Sequence, residues 1–116
     1  VSLGGKLIGR VARRHLDGGA MLRLDYPPFH VLVALVDERP CAIEDACNHA
    51  GASLSEGERD ERCVACPMHG YRFDLLTGRL VAPLGLCPDQ RRFLAQLVGE
   101  DVVVWEDGSG VVIIGP

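Results

Sequence analysis

Apolar and polar positions along this chain alternate over short stretches separated by turn residues, and no long helical period is sustained. That pattern predicts strands. Residues 31–36 (VLVALV) break the alternation with an unbroken apolar run, closed off by Tyr26-Pro27-Pro28 before it and Asp37-Glu38-Arg39-Pro40 after it. Such a run is expected of a strand covered on both faces. The second turn leads into a strand at residues 41–44, completing a hairpin. Ahead of the run, residues 6–12 read as an opening extended segment, Asp17-Gly18-Gly19 as a turn, and residues 20–24 as a half-buried strand. Beyond it, residues 62–65 and 71–74 predict two short strands. Residues 92–98, 101–105 and 110–114 predict three successive antiparallel strands, turning at Gly99-Glu100 and at Asp107-Gly108-Ser109. Residues 53–56 suit a single helical turn ended by Gly57. Strands without a long helix imply an all-β domain, a small antiparallel sandwich.

Composition narrows this further. At 116 residues the chain makes one domain, long enough to bury most of its apolar surface. With 14 glycines, 7 prolines and only 5% aromatic residues, it favours short strands and many turns over a helical bundle. A net charge of -4 gives no basic stripe, so no nucleic-acid partner is expected, and a partner with a basic docking face fits better. Glu56, Glu58, Asp60 and Glu61 form the plainest acidic candidate for that contact. Arg10, Arg13 and Arg14 read as a solvated face. The apolar run at 31–36 is too short to cross a bilayer, and residues 1–9 have neither a basic lead nor an apolar signal core. The expectation is a soluble, cytoplasmic protein without a membrane partner, with a terminal valine leaving room for an upstream segment.

Candidate chemistry lies in two stretches, Cys47-Asn48-His49 and Cys66-Pro67-Met68-His69, each offering one thiol and one imidazole. The 16 residues between His49 and Cys66 let each pair sit on its own loop, with both loops converging on one inorganic centre. Two thiolates and two neutral imidazoles can hold tetrahedral zinc. Zinc fingers, however, usually take both cysteines from one turn and both histidines from one helix. Here each loop supplies one of each, which suits a binuclear site where one iron takes the cysteines and the other the histidines. Of five cysteines, Cys41, Cys63 and Cys87 are left over, an odd number that fits a reducing compartment. Cys63 and Cys66 spell Cys-x-x-Cys without the βαβ context of a thiol redox pair, so the spare cysteines read as small buried hydrophobes. His15 and His30 lack such partners and read as structural or surface residues.

The flanks of the two stretches carry a family resemblance. Residues 47–52 read CNHAGA, residues 54–57 LSEG, and residues 66–78 CPMHGYRFDLLTG. Together with Cys-x-His and Cys-x-x-His at this spacing, the chain resembles a Rieske 2Fe-2S protein from about residue 31 to 105. The resemblance implies a base sandwich built from both chain ends and a cluster-binding subdomain at about residues 41–83. It also implies one 2Fe-2S cluster per chain, with Cys47 and Cys66 on one iron and His49 and His69 on the other. Pro83 corresponds to a proline-bearing lid, although residues 86–92, with Cys87, depart from the family pattern. High-potential members carry an additional cysteine pair where this chain has Ala52 and Met68, and a serine and tyrosine where it has Tyr71 and Phe73. Lacking those, the chain looks like the low-potential ferredoxins of bacterial oxygenases. The function implied is one-electron transfer from a flavin-dependent reductase to a terminal oxygenase, with no catalytic residue of its own. The rival readings are a small Rieske-like subunit of a nitrite reductase and a zinc-stabilised interaction module.

Overall fold

The apolar run at residues 31–36 needs cover on both faces, and it makes up most of the strand around which the molecule is built. The computed structural model describes residues 6–46, 52–85 and 88–106. The strands are β1 (Leu7–Ala12), β2 (Leu22–Tyr26), β3 (Phe29–Val36), β4 (Arg39–Glu44), β5 (Glu58–Arg59), β6 (Cys63–Ala65), β7 (Arg72–Asp74), β8 (Leu80–Ala82), β9 (Arg92–Val98) and β10 (Asp101–Trp105). They form a six-stranded antiparallel sheet in the order β1-β10-β9-β4-β3-β2 and a four-stranded one in the order β5-β6-β7-β8.

Side chains alternate across a strand, so β3 and β4 face two cores at once. Val31, Val33 and Leu35, with Ala42, pack against Leu16, Phe93, Val102 and Val104 inside the larger sheet. Leu32, Ala34 and Val36, with Cys41 and Ile43, face the smaller sheet through Leu54, Val64, Cys66, Phe73, Leu75 and Leu80. Each fully buried Val, Leu or Phe contributes about 1.5–3 kcal/mol. The smaller sheet, with the motif residue Cys66 in its core, is thereby fixed on the back of β3 and β4.

The hairpin between β3 and β4 turns at Asp37 and Glu38, both at positive φ (50° and 64°), as a two-residue primed turn requires. Two non-glycine residues carry that conformation here, and the Glu38 carboxylate is ion-paired with Arg13. The strands expected at 92–98 and 101–105 are β9 and β10, and the helical turn before Gly57 is a 3-10 turn at Leu54–Glu56. β2 runs on to Tyr26, two residues beyond the expected stretch, and pairs with Phe29 across Pro27-Pro28. Prolines in the turn need no ladder donor, so both strands extend up to them.

Three elements differ from expectation. Arg13–Gly19 is a 3-10 segment broken at Asp17 and Gly18, anchored by the buried Leu16. One anchored residue leaves no period in the sequence. Part of the acidic stretch is the strand β5, from which Arg59 donates to Leu35 O and to Ala20 O, tying the smaller sheet to the larger. The lid expected at residues 81–85 begins as a strand, since Leu80–Ala82 form β8 paired with β7. The expected turn at 107–109 and strand at 110–114 lie outside the described residues.

Candidate metal centre

The second motif stretch closes the hairpin between β6 and β7. Pro67 is pre-set for a turn, and Gly70 supplies a φ of +73° that a residue with a Cβ adopts rarely. The Cys66 N–H donates to Tyr71 O at 2.7 Å, and the Gly70 N–H donates to Cys66 O at 2.8 Å. Both backbone groups of Cys66 thus hold the turn that carries His69. The Cys66 side chain is buried, 2% exposed, in the core of the smaller sheet. Met68 and His69 are exposed, and the His69 ring lies edge-on to Tyr71 with centroids 6.4 Å apart. The hairpin therefore holds its thiol inward and its imidazole outward.

Cys47 and His49 lie outside the described residues, as does Gly51. The chain on either side of them is described. Ala46 forms an antiparallel bridge with Ser53, so the described chain before and after the first stretch meets in one stem. Among the described residues no three of His, Cys, Asp and Glu come together as a metal site. The two that belong to the predicted set, Cys66 and His69, offer a water-shielded thiol and an accessible imidazole from one short turn. That donor pair fits a 2Fe-2S group in which thiolates would hold one iron and imidazoles the other.

A close contact brings the stem and the hairpin together. Gly57, at the end of the 3-10 turn that follows the stem, lies against the backbone of Ala65, the residue before Cys66. A Cβ at Gly57 would overlap the Ala65 carbonyl oxygen. Sequence reasoning placed Gly57 only as a helix stop. Its steric role brings the return of the first stretch against the start of the second.

The electrostatics around the hairpin are structural. Asp60, expected as a free acidic group, accepts from the Arg62 and Cys63 amides at 3.1 and 2.8 Å and is ion-paired with Arg72. The Cys63 and Arg62 amides and the Arg72 guanidinium hold its carboxyl below the ordinary range. Burial alone would raise Asp74, yet Arg62 at 2.5 Å and the Thr77 and Leu76 amides outweigh it and hold that carboxyl down as well. Burial pushes the Cys41 thiol up to about 11, and its S–H donates to Ala34 O at 3.4 Å, the environment of an inert core cysteine. Cys63 is half-buried, so it departs from the expectation of a buried hydrophobe; burial and then Asp60 raise its pKa. Cys63 and Cys66 lie three positions apart along extended chain, about 10 Å, too far for a disulfide.

His15 is exposed, and His30 Nδ1 lies 3.0 Å from Asp25, as surface residues do. Phe73 is fully buried, Tyr71 is half-buried, and neither Ala52 nor Met68 can form the additional disulfide. The pairing of Arg72 with Ala82 leads Pro83 and the exposed Leu84 along the hairpin. Leu86 and Cys87 lie outside the described residues.

Two buried polar residues were missed. Asp45, 1% exposed, accepts from Ser55 N at 2.6 Å, Ser53 Oγ at 2.7 Å and Ser55 Oγ at 2.8 Å. Gln90, 3% exposed, donates to Glu44 O at 2.9 Å and Ala46 O at 2.6 Å. A carboxylate on the core-facing parity of β4, with two serines following it, was the available signal for Asp45. Gln90 sits in an irregular stretch that carried none.

Comparison with known proteins agrees with this geometry. The profile of the Rieske 2Fe-2S domain matches residues 11–84. The ferredoxin component of biphenyl 2,3-dioxygenase from Rhodococcus jostii is 38% identical over 94 residues, covering 81% of this chain and 87% of that protein. The ferredoxin of carbazole 1,9a-dioxygenase from Nocardioides aromaticivorans superimposes with a TM-score of 0.78 at 26% identity, covering 87% of this chain and 98% of that one. A chain from the complex of reduced oxygenase and oxidized ferredoxin in carbazole 1,9a-dioxygenase superimposes at 0.73 with 30% identity, covering 80% and 95%. The two motif stretches, the sandwich that carries them and these matches lead to one conclusion: the chain belongs to the Rieske 2Fe-2S domain family.

Proposed function

We propose that this chain is a Rieske-type ferredoxin, a one-electron carrier that takes electrons from a flavin-dependent reductase and delivers them to a terminal oxygenase. The observation that carries the reading is the β6–β7 hairpin, with Cys66 buried at its base and His69 exposed at its turn. Cys47 and Cys66 are assigned to one iron and His49 and His69 to the other, within a single domain whose residues 41–83 hold the cluster. When bound, the 2Fe-2S group supplies reversible one-electron chemistry, at a potential raised by its neutral imidazole ligands.

The chain's own residues do the rest. Packing around Cys66 excludes water from the thiolate. The hairpin presents His69 at the surface, where an imidazole can hydrogen-bond a partner and shorten the electron's exit path. Met68, 64% exposed, and Leu84, 78% exposed, supply apolar surface on the hairpin and after β8 for an oxygenase to cover. The relatives are dioxygenase ferredoxins, which favours a carrier over a nitrite reductase subunit or a zinc module. No helix among the described residues is long and apolar enough to cross a membrane, and a cytoplasmic site is read from the five cysteines, an odd number that fits a reducing compartment.

Purified protein should be red-brown, contain iron and acid-labile sulfide in equal amounts, and give the reduced-state paramagnetic signal of a mixed-ligand cluster. His69→Ala should abolish that signal. A colourless protein containing zinc, or an unchanged signal in His69→Ala, refutes the assignment.

A further inference from the structure

The pairing of β4 with β9 stops just short of the first motif stretch. Its last rungs are Ile43 with Arg92 and the Glu44 N–H donating to Arg91 O at 2.8 Å. A continued ladder would next need donors for the carbonyls of Glu44 and, two residues on, of Ala46. Gln90 provides them from its side chain, donating through Nε2 to Glu44 O at 2.9 Å and to Ala46 O at 2.6 Å. Its backbone is itself fixed. The Gln90 N–H donates to Gly78 O at 2.7 Å, and its carbonyl lies so near Gly78 that a Cβ there would stand 2.6 Å from the oxygen. On the opposite edge, the Asp45 N–H donates to His30 O at 2.8 Å and the Leu54 N–H donates to Asp45 O at 2.6 Å. The tripeptide 44–46 is thus held from both sides up to the residue before Cys47.

We infer that Gln90 is a positioning residue for the cluster, fixing through the carbonyls of Glu44 and Ala46 the segment that leads into Cys47. The inference rests on the assignment of Cys47 and His49 as ligands. Its physical basis is continuity. A carbonyl that loses its donor in a buried setting turns toward another donor, and the peptide that follows turns with it. From Ala46 to Cys47 there is one peptide bond, so the direction in which the chain continues toward Cys47 follows the Ala46 carbonyl. The amide extends the sheet by one rung from a residue 44 positions away in sequence.

Gln90→Met in the purified holoprotein tests this, because it keeps the length and unbranched shape and removes the donor. The reference is Val102→Ala, a cavity in the other core cluster, remote from the motif stretches. Both variants should lose comparable thermal stability. Gln90→Met alone should lose its visible absorbance to an iron chelator roughly tenfold faster, the scale of one or two missing hydrogen bonds, with shifted g values in the reduced-state signal. Gln90→Asn, whose amide falls one methylene short, should lie between parent and Gln90→Met, and it carries the test if Gln90→Met does not fold. Release no faster than in Val102→Ala, with unchanged g values, overturns the inference while leaving the cluster in place. A parent without the visible band overturns the ligand assignment, and this inference with it.

Discussion

Removing the Asp45 carboxylate should be felt at Ser53 and Ser55, which follow the first motif stretch. The group is 1% exposed and accepts three hydrogen bonds, from Ser55 N through Oδ1 and from the Ser53 and Ser55 hydroxyls through Oδ2. Bonds to a charged group contribute about 1.5–3 kcal/mol each. Burying the carboxylate costs several kcal/mol, so their sum overstates the net effect. In Asp45→Ala the hydroxyls can still pair with each other, being 3.0 Å apart, but the Ser55 N–H loses its acceptor. An unsatisfied buried donor costs about 1–3 kcal/mol, and with the cavity the expected loss is about 2–4 kcal/mol. Asp45→Asn keeps Oδ1 for the amide and offers its NH2 to hydroxyls that rotate to accept, for an expected loss of about 1 kcal/mol. At about 4–8 °C per kcal/mol for a domain near this size, the apparent Tm should fall by about 8–32 °C in the alanine variant and by less than about 8 °C in the asparagine variant. Far-UV circular dichroism on heating reads both. Equal falls in the two variants would show that charge and not geometry matters, and a fall under about 2 °C in Asp45→Ala would show that the network is idle.

Asp74 predicts a pH dependence. Its folded pKa lies below the ordinary 3.8, so its stabilisation is complete above the unfolded value and is lost as pH falls through the lower folded one. The Tm gap between the parent and Asp74→Asn should be constant above about pH 5 and narrow as pH falls below about 4, and a gap that is unchanged or wider on acidification refutes the reading. Gly57→Ala should cost at least about 1–3 kcal/mol by forcing the Ala65 carbonyl away and should lower the iron content of purified protein; wild-type stability and iron would show that the contact relaxes freely. Glu56, Glu58 and Glu61 are exposed, so electron transfer from the reductase should slow as salt rises, since charges are screened beyond about 8 Å at physiological ionic strength. A salt-independent rate moves the contact to the apolar surface of Met68 and Leu84. With no hydroxyl at Phe73 the midpoint potential should lie near the bottom of the Rieske range, around -150 mV, and Phe73→Tyr should raise it in voltammetry. An unmoved potential with the cluster intact would place that hydroxyl out of reach of the sulfurs.

What was legible in the sequence was legible for local reasons. The VLVALV run and the strands at 92–98 and 101–105 follow from patterning and tight turns, and Cys66 and His69 from a motif whose spacing is that of one hairpin turn. What was not legible depends on contacts between distant residues. Arg59 read as part of an exposed acidic loop because nothing nearby in sequence reveals that its guanidinium meets Leu35 and Ala20. Asp60 read as a docking charge because its pairing with Arg72, 12 residues on, leaves no local trace in the sequence; in the structure the Arg62 and Cys63 amides engage its other oxygen. Gln90 carried no signal, since a glutamine between irregular residues becomes meaningful only when the sheet brings Glu44 and Ala46 to it.

The two motif stretches are therefore held in different ways. Cys66 is fixed by its own hairpin: its N–H and carbonyl close the turn that bears His69, and its side chain is packed in the core shared with β3 and β4. The chain around residues 47–51 is held by groups from elsewhere, with Gln90 on the departing side, Asp45 joining it to the return, and Gly57 permitting the approach to Ala65. A hairpin turn is a local contact that reforms within microseconds, whereas contacts spanning 44 residues form only once the larger sheet exists. The hairpin can thus present half of the proposed ligand set before the sheet is complete, and the other half waits on β9 docking against β4. Damage to β9, to Gln90 or to Asp45 should accordingly loosen the Cys47 and His49 side first, while Cys66 and His69 keep their geometry. Cys66 and His69 thus come from one locally closed hairpin, whereas the proposed contribution of Cys47 and His49 depends on contacts between residues far apart in sequence.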